Sequence, residues 1–517
     1  MSSADELPPD KGDKFSPTPF DSRSSILDPQ FTADIPWVVP VQPMGHPVLA
    51  WVVTVGVASL IVAFSMVRSE ERKDTGRKKH SSVLEGAHYR LLIGANELLK
   101  GNELLKDVRK DLSEQAKDLG EGPAEKRLRY AVLIGEMKGQ QAALDVLHSV
   151  KEQDLDDADQ TRALEILRKL YHGYRREHFD ANWLGPEEHE LLRDELGWLG
   201  ELALHPAGGP DAAGRAALLD EARRTAWTFA AYGAGLLLAG LAGLAGLFLV
   251  LSNALSGKLT SGLAAGSGNG GLYAETFAVW LLLFLGLNMG AGLALIAIQH
   301  YAKDPPPLEA LMLPLGGGVL LFSLGALVWP VCRGIPWHQV RQEIGLTLGD
   351  RAGREVLIGV GCYLTAIPLV AVGLVLMLLL MQLQKALTGN GAPVPTHPIA
   401  EQLGQGGWTA TLLAFVVLCV VAPLVEETMC RGVLYRHLRE ATATLRTGVS
   451  IVFSATVVSF LFAALHPQGV LGIPVLMGLA YAFSLAREWR GSLVSSMVAH
   501  GINNGITLLL HTLLSSG

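Results

Sequence analysis

Near the C-terminus, ionisable side chains recur inside otherwise apolar helical stretches: Glu426-Glu427-x-x-x-Arg431, Phe462-x-x-x-His466 and His500-x-x-x-Asn504. An ionisable group in a membrane span costs ~2.5–3.5 kcal/mol on insertion scales, so such groups are kept where they perform a task. The i,i+4 spacing puts both members of each pair on one helix face. Glu427 and Arg431 are therefore expected to form an internal ion pair that neutralises one carboxylate and fixes the helix. Glu426 points about 100° away from Glu427 on the same helix and stays free to act. A carboxylate or an imidazole acting on water is a general base. The Asn504 amide and the His500 ring offer N–H donors to a developing oxyanion. Phe462 would pack on the His466 ring and restrict its orientation.

Each pair also has a structural reading: an interfacial charge cluster, a histidine capping a helix before Pro467, and polar glue between spans. Glu426, His466 and His500 are all zinc-ligand types as well, although no H-E-x-x-H helix accompanies them. Taken together, and without a Ser or Cys evidently paired with a base, they have the parts of a site that hydrolyses with activated water.

The helices carrying these groups must bring them to one depth. From the basic side, Glu426 lies ~21 Å in if its helix runs unbroken to about Glu440; His500 and Asn504, counted from Arg490, lie ~15–21 Å in. His466 comes to ~30 Å from Arg446 at helical rise. Pro467 should end or bend that helix just beyond the imidazole.

The chain of 517 residues is 49% hydrophobic and only 18% charged, with a mean hydropathy of +0.31. This composition points to an all-α, polytopic membrane bundle with an inserted polar part. A net charge of −7 gives no reason to expect nucleic acid. Cys332, Cys362, Cys419 and Cys430 lie in or beside apolar stretches without a C-x-x-C pair, and read as small hydrophobes. Residues 1–46, rich in Pro, Ser and Asp, lack the features of a cleavable signal and read as a disordered tail. Residues 47–67 form a retained anchor, followed at once by Arg68, Arg72, Lys73, Arg77, Lys78 and Lys79. The positive-inside rule places the tail outside and residue 68 onward in the cytoplasm.

Residues 68–224 read as a soluble helical domain, where Leu84, Leu91, Leu98, Leu105 and Leu112 recur every seven residues. Shorter amphipathic helices are expected at Tyr130–Leu147 and Ala163–Tyr174, with only a loose likeness to tetratricopeptide repeats. Accessory spans occupy 225–332, and Gly266-x-Gly268-x-Gly270 reads as a flexible loop, since no strand precedes it. Candidate spans at 225–251, 274–299, 308–332, 355–382, 408–426, 446–465, 469–486 and 491–512 make nine with the anchor. The segments 333–354, 431–446 and 487–490 are all basic and separated by pairs of spans, so they should share the cytoplasmic face. Counting forward from the anchor instead puts 333–354 outside. A re-entrant or absent span between 225 and 332, or an inverted anchor, would reconcile the two.

The wording EETMCRG at 426–432, FAALH at 462–466 and HGINN at 500–504 resembles the three motifs of the CAAX-protease and bacteriocin-processing family, also called the Abi family, of intramembrane proteases. The resemblance covers about residues 340–512, within a bundle taken as 333–517. It implies a glutamate-type endopeptidase without cofactor or bound metal. In it Glu426 and His466 activate water, His500 and Asn504 form the oxyanion hole, and Glu427 with Arg431 holds the site in shape. It does not fix the substrate: a peptide or protein is expected, lipidated or membrane-embedded ones included, and the chain is expected to be multi-pass in a bacterial inner (plasma) membrane. A non-catalytic scaffold or immunity protein, and a metal-dependent protease of the same topology, stand as alternatives. The resemblance does not reach the 68–224 domain, which is expected to take a protein partner or gate substrates.

Overall fold

The computed structural model describes residues 45–75, 83–151, 155, 158–173, 184–389 and 407–515. The expected N-terminal tail, except its last two residues, and Arg77, Lys78 and Lys79 lie outside them. Among the described residues every regular element is helical. The chain is an all-α, multi-pass membrane protein.

The first helix, α1 (Pro47–Thr75), begins with an apolar segment, Pro47–Ala63. A polar cluster follows: α2 (Val83–Leu99), α3 (Lys106–Gln115), α4 (Ala124–Lys138), α5 (Gln140–Ser149), α6 (Ala158–Gly173), α7 (Pro186–Leu196) and α8 (Trp198–Leu204). Its own core contains Leu128, Val132, Leu133, Leu164, Leu167 and Leu192, all buried. The leucine heptad does not run along one helix as its spacing suggests. The chain leaves α2 at Leu99, Gly101 takes a φ of +84°, and Leu105 and Leu112 fall on later elements. The Tyr130–Leu147 stretch is likewise two helices, parted at Gly139 with φ +96°. Left-handed backbone of this kind favours glycine, and it ends each helix.

The helix α9 (Ala212–Leu255) has 44 residues, ~66 Å at helical rise. It starts against the polar cluster, where Ala222 lies against Gly94, and continues into the apolar region without a break. The compositional change near residue 225 thus falls inside a continuous helix. Next come α10 (Gly270–Tyr301), α11 (Leu308–Ser323), α12 (Val328–Cys332), α13 (Trp337–Ile344) and α14 (Ala352–Thr388). The last four are α15 (Trp408–Ala441), α16 (Thr447–Ala464), α17 (Gly469–Arg490) and α18 (Val494–Ser515).

Nine spans were expected; among the described residues seven helices are long and apolar enough to cross a membrane, and Pro47–Ala63 is a shorter apolar helix. The last helix falls outside the seven because Ser495, Ser496, His500, Asn503 and Asn504 dilute its hydropathy. Exposed Leu237, Leu238, Phe248, Leu293 and Leu379 mark outward faces suited to lipid.

One end of the bundle is tied together by named contacts. The His46 N–H donates to Glu275 Oε1 at 2.6 Å, and Glu275 Oε2 accepts from Trp329 and from Arg333 at 2.9 and 2.8 Å. The Trp51 indole donates to His437 at 2.9 Å, and the Leu493 N–H to the Gly345 carbonyl at 2.9 Å. The 257–269 loop, expected to be flexible, is held at this end: Arg436 donates to the Ala264 and Ala265 carbonyls at 2.5 and 2.6 Å. Glu440 accepts from the Gly270 N–H at 2.9 Å. The starts of α1 and α10 and the three basic regions therefore share this basal end. The polar cluster sits at the opposite end, where α2 packs on α9 and touches α18.

This arrangement changes how the basic regions are read. The three helices between 212 and 332 are each long and apolar enough to cross a membrane, which argues against a re-entrant span there. The supposed 431–446 loop is helical to Ala441, and Arg431, Arg436, Arg439 and Arg487 are fully buried. They serve the interior as ion-pair and hydrogen-bond donors, so they do not count as free loop charges in a topology rule.

Candidate active site

The local geometry of α15 is set by two π-helical stretches, Val417–Val421 and Thr428–Leu434, on either side of Ala422–Glu427. π-bulges inside α-helices occur often at functional sites. The Ala422 N–H bonds the Val417 carbonyl in i,i−5 register. In that register residue 423 would serve Leu418, but Pro423 has no N–H. The orphaned Leu418 carbonyl instead accepts from Asn504 Nδ2 at 2.8 Å. Close approach of α18 makes this possible: a Cβ at Gly501 would stand 2.6 Å from the Cys419 carbonyl oxygen.

The Glu427–Arg431 pair forms as the spacing predicts, fully buried, with Arg431 Nη1 2.9 Å from Glu427 Oε1. The same oxygen meets His500 Nδ1 at 2.9 Å. A second donor of Arg431 reaches the Ala480 carbonyl at 3.2 Å. Its guanidinium also lies over the Phe462 ring, 4.4 Å from the centroid, and over Phe483 at 5.5 Å. Phe462 in turn packs on His466 with centroids 4.2 Å apart, and Phe483 stacks on His500 at 5.5 Å. Arginine and two aromatic rings thus form a rigid floor beneath both imidazoles.

Above that floor, Glu426 Oε2 lies 3.7 Å from His466 Nε2 and 3.8 Å from His500 Nε2. It is buried and has no hydrogen-bond partner. His466 sits just beyond α16, before Pro467, and its Nδ1 is 2.6 Å from the Phe462 carbonyl oxygen. An N–H there must donate, which leaves the neutral ring an acceptor at Nε2, facing Glu426. Glu426 and His466 border a cavity of about 160 Å³. Asn504 is anchored by Leu418 on one side and accepts from Asn503 at 3.1 Å on the other. An amide nitrogen has two N–H groups, so one bond to Leu418 leaves a second. Among the described residues, no group of three His, Cys, Asp or Glu side chains is arranged to hold a metal ion.

The structure therefore brings Glu426, Glu427, Arg431, His466 and His500 into one cluster drawn from α15, α16 and α18, with Asn504 one turn beyond His500. Sequence reasoning missed Phe483, which carries no polar signal. It also missed the cavity wall from α1, α10 and α11, where Ile61, Trp280, Phe284 and Leu320 lie more than a hundred positions from Glu426.

Comparison with known proteins points the same way. A family model described as type II CAAX prenyl endopeptidase Rce1-like matches residues 408–506. The membrane-embedded CAAX protease MroQ of Staphylococcus aureus is 32% identical over 94 residues, 18% of this chain. That stretch spans 37% of the length of the Staphylococcus protein. No solved structure matches. Residues 408–506, which carry the three motifs, are thus similar to the CAAX-protease and bacteriocin-processing family.

Proposed function

We propose that the protein is an intramembrane endopeptidase that hydrolyses a peptide bond with activated water. The observation that carries this reading is Glu426 Oε2, buried and unpartnered, within 4 Å of two imidazole nitrogens. Gaps of 3.7 and 3.8 Å exceed a direct hydrogen bond and suit a bridging water. Glu426 takes a proton from that water while His466 Nε2 orients it, and the hydroxide attacks the scissile carbonyl. His500 gives its Nδ1–H to Glu427, so its Nε2 donates to the oxyanion in the imidazolium form, opposite the Glu427 carboxylate. The second Asn504 N–H is the other donor. Protonated Glu426 then returns its proton to the leaving amine as the C–N bond breaks. No covalent intermediate forms, and no metal is required. Glu427 and Arg431 hold His500 and the aromatic floor in place.

The substrate we propose is a peptide or protein embedded in or anchored to the bilayer, and lipidated in some cases. A lipid-facing apolar groove of about 1300 Å³ between α15 and α18, lined by Trp408, Phe415, Met497 and Leu509 among others, gives room for such a chain. The membrane-embedded bacterial relative supports a location in a bacterial inner (plasma) membrane. The helical cluster at 83–204 would recruit or gate substrate. Deletion of 80–220 that leaves processing of a native substrate unchanged would refute that role.

Comparative proteomics of membrane peptides, from cells with wild-type or Glu426→Gln protein, tests the reading. Products that vanish with Glu426→Gln support it, and an unchanged peptide set contradicts it. Glu426→Ala and His466→Ala, each still inserted, separate a protease from a scaffold, which would keep its phenotype. Activity that disappears with strong chelators and returns with zinc would favour the metal-dependent alternative.

A further inference from the structure

The wall facing Glu426 comes from helices that the family match does not cover. The cavity is closed by Ile61 from α1, Trp280 and Phe284 from α10, and Leu320 from α11. Trp280 is fixed there: its indole donates to Ser323 Oγ at 3.0 Å, and that hydroxyl donates to the Leu320 carbonyl at 2.6 Å. Its ring packs against Phe277 and stacks on Phe284, with centroids 5.2 and 5.8 Å apart. The helix α1 is positioned by the Trp51–His437 bond at its base, which sets where Ile61 falls along the span. The wall is therefore apolar, rigid and assembled by the accessory helices.

Resting on the hydrolytic reading above, we infer that Trp280, with Ile61 and Phe284, determines specificity: the 160 Å³ cavity receives one apolar side chain of the substrate beside the scissile bond. Two observations argue for a side chain and not for water alone. Apart from Glu426 and His466 the lining is hydrocarbon, aromatic or sulfur, and the volume resembles the ~150 Å³ apolar cavities that take a benzene-sized ligand. A Leu- or Phe-sized group fits. An indole would collide with Trp280, and a charged group would lose its hydration without a partner. A single methylene in such a pocket discriminates roughly ten- to two-hundred-fold, so the wall is selective enough to set cleavage preference.

The test uses the full-length chain and the same membrane proteomics, with the residues flanking each cut tabulated for wild type, Trp280→Ala, Ile61→Trp and Glu426→Gln. Wild type should show one flanking position confined to medium apolar side chains. Trp280→Ala should admit Trp there, raising its frequency relative to Leu roughly ten-fold or more. Ile61→Trp fills the cavity from the other side, serves if Trp280→Ala fails to accumulate, and should narrow the position to Ala, Gly or Ser. Identical flanking residues in wild type and in an accumulating wall variant would overturn the inference alone. A proteome without any Glu426-dependent cleavage would overturn the hydrolytic reading and this inference with it.

Discussion

Two buried charged clusters lie on α15, roughly three turns apart, and they are built on opposite rules. At the basal end Glu488, Glu343 and Glu440 each use both carboxylate oxygens. Glu488 accepts from Tyr435 and twice from Arg439, at 2.9 to 3.1 Å. Glu343 accepts from Tyr273 at 2.6 Å, from Gln339 at 2.7 Å and from Asn269 at 3.2 Å on each oxygen. Glu440 accepts from the backbone of Ser267 and Gly270. Near the middle of the span, Glu426 leaves its buried Oε2 without a partner. A saturated buried network rigidifies a fold, whereas an unpaired acceptor costs stability and persists where it acts. The first cluster holds α15 in place, and the second is the one we propose for chemistry.

That contrast breaks most sharply under Glu426→Gln. Hydrolysis should fall by ~10²–10⁴-fold, the usual weight of a general base, while the melting temperature holds or rises. A large loss of stability would move Glu426 into the structural class. The opposite pattern is expected of Arg439→Met, which strands Glu488: unfolding in detergent should become easier by about 3–5 kcal/mol, with activity per folded molecule retained. Replacing both partners, Arg439→Met with Glu488→Leu, should restore most of that stability. Asn504→Ala should affect both turnover and folding. One oxyanion donor is worth ~10²–10³ in turnover, and the freed Leu418 carbonyl adds a smaller folding cost. Smallest of all, Trp51→Phe removes one hydrogen bond at the base and should cost about 1 kcal/mol in thermal unfolding assays.

What the sequence discloses follows the range of the interactions. Glu427–Arg431 and Phe462–His466 are legible because each is a four-residue repeat along one helix, and His500 is legible as a lone imidazole in a span. The alternation of apolar runs shows the membrane bundle for the same local reason. The basal cluster is not legible: Arg439 and Glu488 are 49 residues apart, and Trp51 and His437 are 386 apart. Read locally, Arg436, Arg439 and Arg487 look like loop charges on the cytoplasmic face, and only tertiary packing shows them inside. The cavity wall is hidden more completely, since Ile61 and Trp280 are ordinary apolar residues of spans. Nor does a leucine heptad reveal that Gly101 turns the chain between its third and fourth members.

In the proposed reaction Glu426 and His466 hold one water between them inside the membrane bundle. An experimental map of the full-length protein in lipid nanodiscs, fine enough to show ordered water, tests it most directly. A water ~2.6–3.2 Å from both Glu426 Oε2 and His466 Nε2 is expected, absent or displaced in His466→Ala. A direct Glu426–His466 hydrogen bond with no water in reach, or the two side chains turned into separate pockets, would contradict it.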